Sequence, residues 1–167
     1  MQDAEALAVS PARRELMPLD AVEAILHGGM NNAAIEASER EVLKMEQVVC
    51  PLVHKFAKGM YLREIFMPAG SLIIGHEHTT EHFNIVLSGK ARVMINGEVQ
   101  DIIAPCTFVS KPGVRKVLVI LEDMRWATAH VTDETDVGKL EEMLIIRSAA
   151  FDEHALEQAK QLTTLTE

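Results

Sequence analysis

The chain has 167 residues, 48% hydrophobic and 25% charged, a composition that excludes wholesale disorder and fits one domain of ordinary size. Its 16 lysines and arginines against 25 acids leave a formal charge of -9, which opposes attraction to phosphate backbones and anionic lipid, so no direct nucleic-acid or membrane partner is expected. No apolar run approaches the roughly 20 residues of a bilayer span, and an acidic start without an apolar block predicts a cytoplasmic protein.

Charge and texture divide the chain into three parts. Residues 1–50 carry 4 bases and 9 acids, residues 51–131 carry 9 and 7, and residues 132–167 carry 3 and 9, so a mildly basic centre sits between acidic arms. In the first arm, residues 1–47, Pro18 and Asp20 open a short amphipathic stretch, LDAVEAIL, that stops at Gly28 and Gly29. Asn31 or Asn32 then caps a second helix over AAIEASEREVLKMEQ.

Residues 48–131 change to short apolar segments rich in β-branched side chains. Strands are predicted in VVCPLVHKF, MYLREIFM, SLIIGHEH, FNIVL, KARVMI, EVQDIIA, CTFVS, RKVLVIL and RWATAHV. Turns are expected at Ala69-Gly70, Ser88-Gly89, Asn96-Gly97, Lys111-Pro112-Gly113 and Glu122-Asp123, with Asn-Gly favouring a type I′ hairpin. Eight or nine short strands at this spacing predict a sandwich or barrel. Cys50 and Cys106 lack the spacing of a zinc ribbon and read as reduced small hydrophobes. Residues 132–167 return to helix: Thr132 and Asp133 cap ETDVGKLEEMLI, and FDEHALEQAKQL begins beside Asp152.

The chemistry concentrates in GHEHTTEHFN, residues 75–84. As a helix, His78-Thr79-Thr80-Glu81-His82 would match the HxxEH spacing of inverted zinc peptidases, but Gly75, two threonines and β-branched flanks oppose helix there. As strand, turn and strand, His76 and His78 project from one face, and a bend at Thr79-Thr80 brings His82 back toward them. Three imidazoles can then meet one divalent ion, for which Fe, Zn, Mn and Ni all qualify. His27, His54 and His154 each stand alone and read as surface or packing residues.

These residues resemble the first motif of the cupin superfamily: glycine, five residues, HxH, three or four residues, glutamate, six residues, glycine. Here Gly70, His76-Glu77-His78, His82 and Gly89 keep every spacing, with His82 in the position of the glutamate. The second motif, PxGxxHxxxN, corresponds to the stretch from Lys111 to Lys116, where Gly113 aligns but Lys116 stands in the place of the histidine ligand. The resemblance spans roughly residues 58–131 and is also similar to small cupins carried by phage genomes. It implies a double-stranded β-helix, or jelly roll, and a homodimer; the N-terminal and C-terminal helical arms are expected from the helical texture of the sequence alone.

The expected site follows from these substitutions. His76, His78 and His82 are the expected metal ligands, Glu81 the acid/base group or a replacement ligand, and Lys116 an anion hook or proton donor. Strand parity adds Tyr61 with Arg63, and Trp126 with His130, as ligand-binding candidates, His130 doubling as a distant fourth ligand. Two functions are compatible with this pattern. One is a metal-dependent enzyme acting on a small anionic molecule by oxidation, hydrolysis or isomerisation; the other is a ligand-sensing or assembly module docking through its acidic arms.

Overall fold

A computed structural model gives the fold and describes residues 7–9 and 32–164; the helix expected over LDAVEAIL lies outside the described residues. In chain order the elements are β1 (Leu7–Val9), α1 (Asn32–Val42), β2 (Leu52–Ala57), β3 (Met60–Met67), β4 (Leu72–Ile74), β5 (Glu77–His78), β6 (His82–Ile95), β7 (Glu98–Ile103), β8 (Cys106–Ser110), β9 (Lys116–Val131), α2 (Val137–Leu144), β10 (Ile145–Ile146) and α3 (Ala149–Thr164).

The architecture follows from two long antiparallel partners, β6 and β9, paired from Phe83↔Ala129 to Ile95↔Lys116. The first half of β9 pairs β4, which pairs β1, while the second half of β6 pairs β7. The second half of β9 pairs β3, which pairs β2, while the first half of β6 pairs β8. Two five-stranded half-sheets thus share the same two strands. Their inner faces pack over one core that joins Ile65, Val86 and Trp126 from one half to Ile73, Val93 and Leu118 from the other. The protein is mainly β, a double-stranded β-helix with helices on its outside.

The fold corrects two of the expected turns. Ser88-Gly89 and Glu122-Asp123 lie inside β6 and β9, where register shifts between Val86 and Ala91 bend the pair from one half-sheet into the other. Gly89 has φ +89°, and a Cβ there would stand 2.4 Å from the Asp123 carbonyl oxygen, so only glycine lets the bent strands approach this closely. Asn96-Gly97, with φ values of 53° and 80°, forms the hairpin expected of it between β6 and β7.

Helices cover the outside unequally. The run Val117–Leu121 is apolar at every position because β9 is covered on both faces here: Val117 and Val119 pack beneath Ile35 and Val42 of α1. The outer face of the other half-sheet has no such cover among the described residues and exposes Met60, Phe83, Val109 and Val131. The cap of α2 is Asp136, whose carboxylate accepts from Lys139 N, and not Thr132 or Asp133. Those two are used otherwise: Thr132 Oγ1 accepts from Glu134 N, and Asp133 accepts from Gly59 N. Both cysteines are free; Cys50 is buried and Cys106 half-buried. No helix of the described residues is long and apolar enough to cross a membrane.

Candidate metal centre

Residues 77–95 run as strand, bend and strand, which removes the helical HxxEH reading. The bend at Thr79-Thr80 is held by the segment Met143 to Ile145. Thr79 N donates to Leu144 O at 3.0 Å and Thr79 Oγ1 to Met143 O at 2.6 Å, while β5 pairs β10 through Ile145↔His78. This turns His82 into β6 directly opposite the end of β9. Because β9 bends at its middle, its first residue, Lys116, and its penultimate one, His130, return to the same mouth of the barrel.

His78, His82 and His130 form the cluster at this mouth, each offering a ring nitrogen within 4.8 Å of the others. Their rings lie face to face or tilted, with centroids 4.3 Å apart for His78 and His82, 4.8 Å for His82 and His130, and 5.2 Å for His78 and His130. His82 Nδ1 lies 2.9 Å from the Thr80 carbonyl, an acceptor only, so this nitrogen carries the proton and Nε2 keeps its lone pair. That Nε2 and His78 Nδ1 are buried with no hydrogen-bond partner among the described residues, so both can serve as ligand atoms.

Electrostatics keep the trio neutral. Burial first, and then the neighbouring His82, His130, Lys116 and Arg63, push His78 down to about 2. Burial chiefly lowers His130 to about 4, and burial, only partly opposed by the Thr80 carbonyl, lowers His82. Burial also brings Lys116 down to about 8. Neutral imidazoles are the form that binds a metal, and with no carboxylate in the cluster the full charge of a divalent ion would remain for an outer ligand.

The trio differs from the expected one by a single exchange, His130 for His76. His76 is buried between β4 and β5, its ring edge-on to Phe151 of α3 with centroids 4.8 Å apart, and it borders the neighbouring cavity. Glu81 is exposed and outside the cluster. Tyr61 is buried behind His130, its hydroxyl 2.7 Å from His54 Nδ1, so His54 is a packing partner here. Arg63, Lys116 and Trp126 do converge, on a cavity of about 80 Å³ that opens beside His78. Trp126 Nε1 donates to Asn84 Oδ1 at 3.1 Å, and Asn84 Nδ2 donates to Ser110 Oγ at 2.9 Å. Asn84 and Ser110 carried no signal of their own in the sequence, although Asn84 ends the histidine-rich stretch in a period of two with His82.

No protein-family profile matches the chain, and no curated protein sequence does. Its fold is similar to many solved structures, several of them described as cupins. A conserved protein of unknown function from Streptococcus pyogenes has 21% identity over 54% of this chain and 80% of its own, with a TM-score of 0.43. A cupin with a double-stranded β-helix fold from Methanocaldococcus jannaschii has 10% identity over 56% and 86%, with a TM-score of 0.44. A predicted oxalate decarboxylase from Thermotoga maritima has 14% identity over 53% and 84%, with a TM-score of 0.43. In class the protein is a double-stranded β-helix with a cluster of three histidines at the mouth of its barrel. Identities this low speak of fold alone.

Proposed function

We propose that the protein is a metal-binding cupin whose His78, His82 and His130 hold one divalent ion, and that a small anionic molecule binds beside it. The observation that carries this reading is the convergence of three imidazoles, two buried and one half-buried, with ligand atoms within 4.8 Å of one another and two unsatisfied ring nitrogens among them. Such an ion would supply Lewis-acid polarisation of an oxygen ligand. The chain's own residues supply the rest: Thr80 fixes the tautomer of His82, Lys116 and Arg63 make the mouth attractive to an anion, and the cap of α2 and β10 limits entry of water. Fe, Zn, Mn and Ni all suit three imidazoles, and oxidation, hydrolysis and isomerisation all suit an open position.

Metal content of the purified protein tests the reading. One equivalent is expected in the unsubstituted chain and in His76→Ala, and less than one tenth of that in His78→Ala, His82→Ala and His130→Ala. Full retention in His130→Ala would end it.

The second reading is an assembly module, and two surfaces bear on it. The helical arms offer one such surface: α1 and the start of α3 pack together, Arg40 of α1 pairing with Glu153 of α3, while the rest of α3 up to Lys160 is largely exposed. The uncovered sheet face around Phe83, Val109, Met60 and Val131 is where a homodimer would form. Light scattering of Phe83→Glu against the unsubstituted chain separates monomer from dimer.

A further inference from the structure

The cavity beside the trio is graded from polar to apolar. Along the inward face of β3 the sequence steps from Arg63 to Ile65 to Met67; along β9 it steps from Lys116 to Leu118. The cationic ends of both gradients lie at the metal-binding mouth, since Lys116 and Arg63 both raise the positive potential on His78. Further in, Ile65, Met67, Ile73 and Leu118 form the lining.

The polar atoms at mid-depth are already used. Trp126 donates to Asn84 and Asn84 to Ser110, so this layer presents little to a ligand. At the mouth the opposite holds. Lys116 is 8% exposed and no carboxylate among the described residues pairs with it, and Thr128 Oγ1 is buried without a partner. A buried ammonium without a counter-ion is costly, and the cost is removed by an anion in the adjoining space.

We infer that this cavity takes a small aliphatic monocarboxylate, its carboxylate at Lys116, Arg63 and the metal position, its tail among Ile65, Met67, Ile73 and Leu118. The inference deepens, and rests on, the metal-binding reading above. A volume of about 80 Å³ has room for on the order of five non-hydrogen atoms. Phosphate, sulfate or a dicarboxylate would press a second set of charged oxygens against aliphatic side chains with no donors, which costs more than the first set gains. A neutral amide of the same shape would leave Lys116 uncompensated.

The test uses the full chain, with and without one equivalent of Zn(II), and reads binding of acetate, propionate, butyrate, hexanoate, butyramide, oxalate and inorganic phosphate by ligand-observed NMR. Affinity is expected to rise about fourfold per methylene from acetate to butyrate and to fall at hexanoate, where the cavity is full. Butyramide, oxalate and phosphate are expected to bind at least tenfold more weakly than butyrate. Lys116→Met is expected to weaken butyrate at least tenfold while zinc uptake persists; should that variant misfold, the chain-length series on the unsubstituted protein decides. A flat series, or oxalate or phosphate binding as tightly as butyrate, overturns the carboxylate inference even when zinc is held. A rising series in a protein that takes up no zinc overturns the metal reading and leaves the cavity assignment standing.

Discussion

Arg115 and Glu39 form an ion pair of 2.6 Å in which both side chains are at least nine-tenths buried. It joins α1 to the residue before β9, and Arg115 Nε also donates to the Gly75 carbonyl at 2.8 Å, one residue from His76. The pair is a charge contact more than a hydrogen-bonded one: neither Glu39 oxygen, nor Arg115 Nη2, has a well-directed hydrogen bond among the described residues. Burial of two charges with incomplete hydrogen bonding means that each depends on the other.

Breaking the pair from one side is therefore expected to be severe. Glu39→Ala leaves a guanidinium buried beneath α1 and should cost about 3–5 kcal/mol in urea unfolding. Replacing both, as Glu39→Leu with Arg115→Met, should recover most of that loss. A double variant no more stable than Glu39→Ala would show that Arg115 matters through Gly75 instead.

Gly89 makes the bend of β6 possible. In Gly89→Ala the new methyl meets the backbone of Asp123 and Met124, at 2.4 Å and 2.8 Å, and the residue must also hold φ +89°. Backbone cannot move aside as a flexible side chain can, so a loss of at least about 2 kcal/mol is expected by chemical denaturation. Gly59 has a similar φ of +75° and nothing within 4 Å of a Cβ, so Gly59→Ala should cost less, reporting the conformational part alone.

These two positions also mark what could be read from the sequence. Strand content, the Asn96-Gly97 hairpin and the bend that joins His78 to His82 are local, set by period-two patterning and turn chemistry within a few residues. Ser88-Gly89 and Glu122-Asp123 carry the same local signals as turns, yet remain inside strands because their flanks keep pairing with each other, as Val86 does with Trp126 and Ala91 with Ile120, far apart in the chain. Membership of His130 in the trio is non-local in the same way. It depends on Tyr61↔His130 in one direction and on the position of β6 in the other, and parity could only place His130 on the correct face. His76 makes an equally distant contact, its ring edge-on to Phe151 of α3.

Acid sensitivity is expected to centre on Glu64. Its carboxylate is buried on the outer face of its half-sheet, 3.0 Å from Lys55 Nζ and 2.7 Å from Arg125 Nε; the Lys55 hydrogen bond is the main cause of its lowered pKa, with Arg125 second. A depressed folded pKa stabilises the fold above the unfolded value, near 4.5, and that stabilisation is lost as pH falls through the folded one. Because Lys55 and Arg125 are more than half exposed, about 1 kcal/mol is the expected size. Glu64→Gln should thus lower stability at pH 7, and its difference from the unsubstituted chain should shrink as pH falls below 4.5 and vanish once the folded carboxylate is protonated. Parallel stability curves over that range would rule out Glu64 as the titrating group.

The cap over the histidine mouth should open as a unit of its own. Leu140 and Leu144 of α2 are buried against Tyr61, and the short β5–β10 pairing together with the Thr79 contacts completes the attachment. Two-residue strands and an eight-residue helix have little stability of their own, so these few apolar contacts hold the cap in place. Leu140→Ala removes the most deeply buried of them, at a cost of about 2–5 kcal/mol in the capped state. Amide exchange distinguishes where that cost falls. Thr79 N–H, bonded to Leu144 O, should lose protection by at least tenfold, whereas the amide of Val86 in the β6–β9 core should keep most of its own. Equal loss at both amides would mean that the cap and the barrel unfold together, and that entry to the histidines requires opening of the whole fold.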